Sequence, residues 1–155
     1  MNRENRIGSY RALEKLYNEG KIKHIGISNF TARHLEDLLE HCTIVPHVHQ
    51  FELHPRLVQQ DVLALCTKHR IQVQAYSSLG EGNLLQDDGI VVPDASLSRA
   101  QVLLRWAIQH GWAIIPKSSS PDRVVANANV FSFELSQEVR KLTPSMHHIH
   151  SVYRS

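Results

Sequence analysis

Four short places in this sequence put amides, hydroxyls, an aromatic ring and a cation where apolar runs stop: Ser28-Asn29, Gln50, Tyr76-Ser77 and Lys117-Ser118. None is a strong nucleophile, and no two make an obvious acid–base pair, so the set is suited to recognition rather than attack. A tyrosine face stacks on a planar ring, and Asn29 and Gln50 can hydrogen-bond an amide carried on that ring. Downstream, Leu79-Gly80-Glu81-Gly82-Asn83 is a glycine-containing loop whose backbone N–H groups can approach a pyrophosphate. Lys117, Ser118 and Arg123 gather at the last apolar run and the start of the helix after it. Two cations beside a helix amino-terminus suit a phosphate. Taken one at a time these residues read as strand-end polar groups and solvated charges. Together they point to a nicotinamide dinucleotide with an extra 2′-phosphate.

The elements that must position them alternate between two hydrophobic periods. Tyr10, Leu13, Leu16 and Tyr17 predict a helix over 9–19, capped by Ser9 and stopped by Gly20. Ile22 to Ser28 alternates apolar and polar, a strand signal. Thr31 caps a helix whose Leu35, Leu38 and Leu39 form one stripe. The cycle repeats with a strand over 48–53, a helix over 58–69 with Val62, Leu63, Leu65 and Cys66 inward, and a strand over 72–77. Ser98 and Gln101 form a capping-box pair for a helix over 99–110 that Gly111 ends. Ala113 to Pro116 reads as a short buried strand, and Ser120-Pro121 opens a helix over 121–128. Ser136 starts a last short helix. Residues 86–97 have no helical period and read as a loop, with Ile90-Val91-Val92 extended.

Four strands, each followed by a helix, imply an α/β fold with parallel strands and right-handed crossovers. Strand order alone does not separate a doubly wound sheet from part of a (β/α)8 barrel. No Gly-x-Gly-x-x-Gly fingerprint follows a strand, which counts against a Rossmann site. A full barrel takes about 250 residues, and the 155 residues here hold about half of one.

Composition narrows the classes further. Hydrophobic residues make up 42% and charged residues 21%, as in soluble globular proteins. No apolar run reaches the roughly 20 residues of a membrane span, and the polar start at Met1-Asn2-Arg3-Glu4 resembles no signal peptide. A cytoplasmic protein is the expectation. The 17 basic and 15 acidic residues are mixed along the chain, without the basic stripe that a nucleic acid demands. Cys42 and Cys66 read as reduced core thiols inside helices. His47, His49, His54 and the cluster His147, His148 and His150 read as solvated side chains rather than a metal site, since zinc needs three or four converging ligands.

Several blocks in order carry a family resemblance. Gly20-Lys21-Ile22-Lys23-His24-Ile25-Gly26-Ile27-Ser28-Asn29-Phe30 resembles the fifth barrel strand of the aldo-keto reductases, and His49-Gln50-Phe51-Glu52-Leu53-His54-Pro55 the sixth. Gln74-Ala75-Tyr76-Ser77-Ser78-Leu79-Gly80 is similar to the seventh, and Ile114-Ile115-Pro116-Lys117-Ser118 with Arg123 and Asn127 to the eighth and its helix. Ala100-Gln101-Val102-Leu103-Leu104-Arg105-Trp106 matches the connecting helix. The resemblance covers roughly residues 4–142, the carboxy-terminal half of a (β/α)8 TIM barrel.

By position, the resemblance implies that Ser28, Asn29 and Gln50 hold the nicotinamide carboxamide and that Tyr76 stacks on the ring. Ser77 and Leu79 lie along the pyrophosphate; Lys117, Ser118 and Arg123 take the 2′-phosphate of NADP(H); Asn127 meets the adenine. The family's catalytic Asp, Tyr, Lys and His come from the first four strands, which would precede Met1. No residue here is therefore assigned a catalytic role, and Tyr10 and Tyr17 sit on a helix leading into a strand. Ala126 stands where the family often has an acidic residue against adenine, and Ser78 stands in place of a proline, which predicts a looser loop. Residues 86–97 lack the family's short helix there, and the tail after Leu142 is brief. The expectation is a truncated NADPH-dependent reductase of aldehydes and ketones, inactive alone, whose isolated chain is either marginally stable or self-associates through open barrel edges. The alternative is a non-enzymatic binding or dimerising module.

Overall fold

The structure, a computed structural model, describes residues 2–140. The tail and its histidines His147, His148 and His150 lie outside the described residues. Helix α1 (Arg3–Asn18) starts well before the Ser9 cap, because Asn2 takes that role: its Oδ1 accepts from the Asn5 N–H at 2.9 Å. The earlier start adds Ile7 to the face of Tyr10, and both are buried against Ile25 and Leu38. α2 (Ala32–Leu39) is capped by Thr31 as expected, the hydroxyl accepting from His34 N–H at 3.4 Å. The further helices are α3 (Gln60–His69), α4 (Arg99–Gln109), α5 (Pro121–Ala128) and α6 (Gln137–Arg140). The Ser98–Gln101 capping box is formed, and Ser120 caps α5 with Pro121 in its first turn.

Four parallel strands, β1 (Gly26–Ser28), β2 (Val48–Glu52), β3 (Gln72–Tyr76) and β4 (Ala113–Ile114), pair in chain order. β1 is shorter than the alternation from Ile22 suggests. At Ile25 the backbone N–H donates to the His47 ring instead of a neighbouring strand, at 3.2 Å. β4 is likewise only two residues long and half-buried rather than buried, with Ile115 46% exposed. It is an edge strand that pairs with β3 alone among the described residues.

Strand alternation sorts the side chains into two faces. His49, Phe51, Leu53, Val73 and Ala75 are buried, and the apolar ones pack against Leu35 of α2 and Val62, Leu63 and Cys66 of α3. The opposite face carries Ser28, Gln50, Glu52, Gln74 and Tyr76, all exposed or half-buried. In register, Ser28, Gln50, Gln74 and Ala113 form one row across all four strands. At Gly26, a Cβ would meet the Val48 carbonyl oxygen at 2.8 Å, so glycine is what lets β1 approach β2.

Other expectations shift. The glycine segment after β3 winds into a kinked 3₁₀ helix (Gly80–Gln86), with left-handed backbone at Glu81 and Gly82. Ile90 is not part of a strand; it is buried beside Leu84, Val102 and Trp106. Cys42 lies beyond the end of α2 and is only half-buried, whereas Cys66 is a buried thiol of α3.

Candidate functional site

At the carboxyl ends of β1 and β3 the chain turns through left-handed backbone at two non-glycine residues, Asn29 (φ 59°) and Ser77 (φ 47°). Such conformations cost on the order of 1 kcal/mol each and persist where surrounding contacts enforce them. The contacts are visible. Asn29 N–H donates to Gln50 O at 2.9 Å, one step past the β1–β2 ladder, and Gly80 N–H donates to Ser77 O at 2.7 Å. Across the strand ends the Tyr76 hydroxyl donates to Asn29 Oδ1 at 3.0 Å. These two residues share a cleft of about 220 Å³ with Phe30, Thr31, Glu52 and Gln59.

Gln50 is drawn differently. Its Nε2 donates to Gln74 Oε1 at 2.5 Å, so the two amides of the central row hold each other. Gln74 was visible in the sequence only as part of a motif; the parallel register places it beside Gln50. Ser28 is exposed at the end of β1, in the same row. Leu79, expected along a pyrophosphate, is half-buried against the Leu84 cluster. Ser78, which stands in place of a proline, is buried and its hydroxyl donates to Ala75 O at 3.4 Å.

The second group lies at the end of β4 and the start of α5. Ser118 Oγ accepts from Arg123 Nε at 3.3 Å and from Ser120 N–H at 3.2 Å. Ser118, Asn127, Pro116, Val124 and Ala128 line a cleft of about 230 Å³. Lys117 is exposed beside it. The structure thus brings Ser118, Arg123 and Asn127 together, as it does Asn29 and Tyr76. The segment between the two groups is fastened by Arg56, whose guanidinium makes two bonds to the Asp87 carboxylate at 2.6 and 2.8 Å. That pairing holds the Asp87 carboxyl below its ordinary value.

Histidines are the residues that sequence reasoning misplaced. His49 is fully buried, not solvated, and its Nε2 accepts from Phe30 N–H at 3.1 Å. Burial lowers its pKa to about 4. His54 is also buried, 3.3 Å from Glu52, and desolvation lowers its pKa despite that neighbour. The alternation of β2 was the available signal for His49, since it shares a face with Phe51. Asp37, Glu40 and His41 come within 4.8 Å of one another on the surface, but Arg3 already bonds Asp37 and contacts His41, at 2.8 and 3.0 Å.

Residues 7–143 match the profile of the aldo/keto reductase family. The chain belongs to the aldo/keto reductase family. It is 48% identical over 132 residues to the glyoxal reductase of Bacillus subtilis, covering 84% of this chain and 48% of that one. The fold of Gox0644 in its apo form superposes with a TM-score of 0.87 at 34% identity, over 96% of this chain and 56% of Gox0644. A Gox0644 variant in complex with NADPH matches with a TM-score of 0.83 at 36% identity, over 88% and 51%. This aldo/keto reductase chain spans about half the length of the curated relatives it matches. Its donor chemistry suits a dinucleotide phosphate: amide and hydroxyl groups at one group of strand ends, cations and a capped helix start at the other.

Proposed function

We propose that this chain forms the carboxy-terminal half of a (β/α)8 barrel and holds NADP(H) for the reduction of an aldehyde or ketone. The observation that carries the reading is the bond between Tyr76 and Asn29 across two left-handed strand ends. It presents an aromatic face and a side-chain amide together where parallel α/β folds bind ligands. Ser28 and Gln50 complete the carboxamide contacts from the same row, and Ser77 and Leu79 flank the pyrophosphate. Lys117, Ser118 and Arg123 meet the 2′-phosphate, with Asn127 at the adenine.

When bound, NADPH supplies the hydride that reduces the carbonyl carbon. The described residues supply positioning, and the proton donor lies outside them. Support comes from the tyrosines. Tyr10 is buried, its hydroxyl donates to Ile44 O at 2.9 Å, and burial raises its pKa. Tyr76 already donates to Asn29, and the Tyr17 ring packs 5.5 Å from that of His47, away from the strand ends. On this reading the described residues hold the cofactor, and reduction of the carbonyl needs a proton donor from outside them.

The test is a fluorescence titration of NADPH with the purified chain. Binding that weakens at least tenfold (about 1.4 kcal/mol) on Lys117→Ala with Arg123→Ala supports the assignment. No binding at millimolar NADPH refutes it. The two edge strands favour one further reading, self-association through β1 and β4, since each pairs on one side only among the described residues. A monomer in sedimentation that also melts cooperatively would refute that.

A further inference from the structure

The chain leaves the sheet immediately after β1, and this creates a backbone problem. Asn29 N–H is the last donor to reach β2, bonding Gln50 O. The left-handed backbone at Asn29 then swings the chain toward α2, and the next N–H, of Phe30, points away from any strand carbonyl. An N–H removed from water without an acceptor is destabilising, so it must find one. The acceptor here is a side chain. His49 Nε2, from the helix-facing side of β2, takes the Phe30 N–H at 3.1 Å.

We infer that His49 is a positioning residue for the cofactor site: by holding the Phe30 N–H it fixes the turn that aims Asn29 at Tyr76. The ring is itself held on several sides. Phe51 lies 4.7 Å from it between ring centroids, the Phe30 ring stands edge-on at 6.3 Å, and Cys66 Sγ is 3.7 Å from Nδ1. An Nε2 that accepts from a backbone N–H leaves the neutral ring's proton on Nδ1, facing the sulfur. The Cys66 thiol is a poor candidate for reaction there, because burial raises its pKa to about 11. It stands as a weak acceptor for the Nδ1 proton that the Phe30 bond leaves in place. The linkage therefore runs from Cys66 on α3, through His49 on β2, to the Phe30 N–H, and from there to Asn29 and the Tyr76 hydroxyl. His49 touches no cofactor atom in this scheme.

The geometry stands without the cofactor reading; only its consequence for NADPH rests on it, so the test has two separate arms. Proton–nitrogen correlation spectra of the chain without cofactor report the His49 tautomer and the exchange rate of the Phe30 amide. The expected result is an Nδ1–H tautomer and a protected Phe30 amide. Substitution His49→Leu should speed that amide's exchange about tenfold or more relative to amides of α4, and His49→Gln, which keeps an acceptor at similar reach, should restore most of the protection. An Nε2–H tautomer, an unprotected Phe30 amide in the unsubstituted chain, or equal exchange in the Leu and Gln variants overturns the inference. In the second arm, NADPH titration should show weaker binding for His49→Leu than for His49→Gln. Equal affinities with the expected exchange pattern overturn the functional consequence. If the unsubstituted chain binds no NADPH at all, the cofactor reading fails, and the first arm still decides what His49 holds.

Discussion

Acidification should destabilise this chain through His49, and the size of the effect follows from its burial. In the unfolded chain the imidazole titrates near its ordinary value of about 6.5, while in the fold burial holds it at about 4. The lowered folded value means that the unfolded state binds a proton first as pH falls. Stability from this group is therefore complete above about pH 6.5, declines as pH drops toward 4, and levels off below. At about 1.4 kcal/mol per unit, the loss across that window is on the order of 3 kcal/mol. That is a large share of the 5–15 kcal/mol that stabilises an ordinary domain. Of the side chains contacting the ring, Phe30 and Phe51 do not titrate, and the Cys66 thiol titrates far above this window. Urea denaturation from pH 7.5 to 4 of the unsubstituted chain and of His49→Gln isolates the effect. The carboxylates of Asp37, Asp87 and Asp94, whose pKa values are lowered, and the buried His54 contribute equally to both curves. The difference between the curves should change by about 3 kcal/mol over the window. A difference that stays within about 0.5 kcal/mol, the scatter expected between independent sites, would refute a neutral buried His49.

Three other perturbations test the fold around the site. Phe51→Ala removes a side chain that is 1% exposed at the centre of the sheet–helix core, and chemical denaturation should show a loss of about 3–5 kcal/mol. Arg70 closes α3 in left-handed backbone at φ 57°, so Arg70→Gly should raise stability by about 1 kcal/mol; an unchanged or lower melting temperature would contradict the strain. Arg56→Met leaves Asp87 without its two guanidinium bonds, which should increase proteolytic cleavage within residues 80–90 while α4 stays intact; cleavage at the unsubstituted rate would show that the pair does not fasten this segment.

The order of strands and helices was legible in the sequence because it rests on short-range rules. The Ser98–Gln101 box and the Thr31 and Ser120 caps are hydrogen bonds within three residues, so residue type and spacing suffice to place them. The same holds for the alternation that divides β2 and β3 into two faces. Element ends were less legible. β1 begins late because Ile25 bonds a histidine from far along the chain, and α1 begins early at an Asn2 cap, where Ile7 gains a core to enter.

At the site itself, the sequence named Asn29, Tyr76, Ser118 and Arg123 at strand and helix ends from where apolar runs stop; Gln50, expected at a strand end, lies inside β2, and Asn127 was named by the family resemblance alone. The sequence could not say which of them meet. Asn29 and Tyr76 are 47 residues apart, and Gln50 and Gln74 are 24 apart; parallel register joins each pair. Nor could composition tell a solvated histidine from His49, whose character comes from the Phe30 N–H, Cys66 and Phe51 closing around it. Local chemistry determines which groups a chain offers at each strand end. Which groups pair, and which become buried and lose their charge, is decided by packing between segments distant in sequence, and that packing exists only in the folded state.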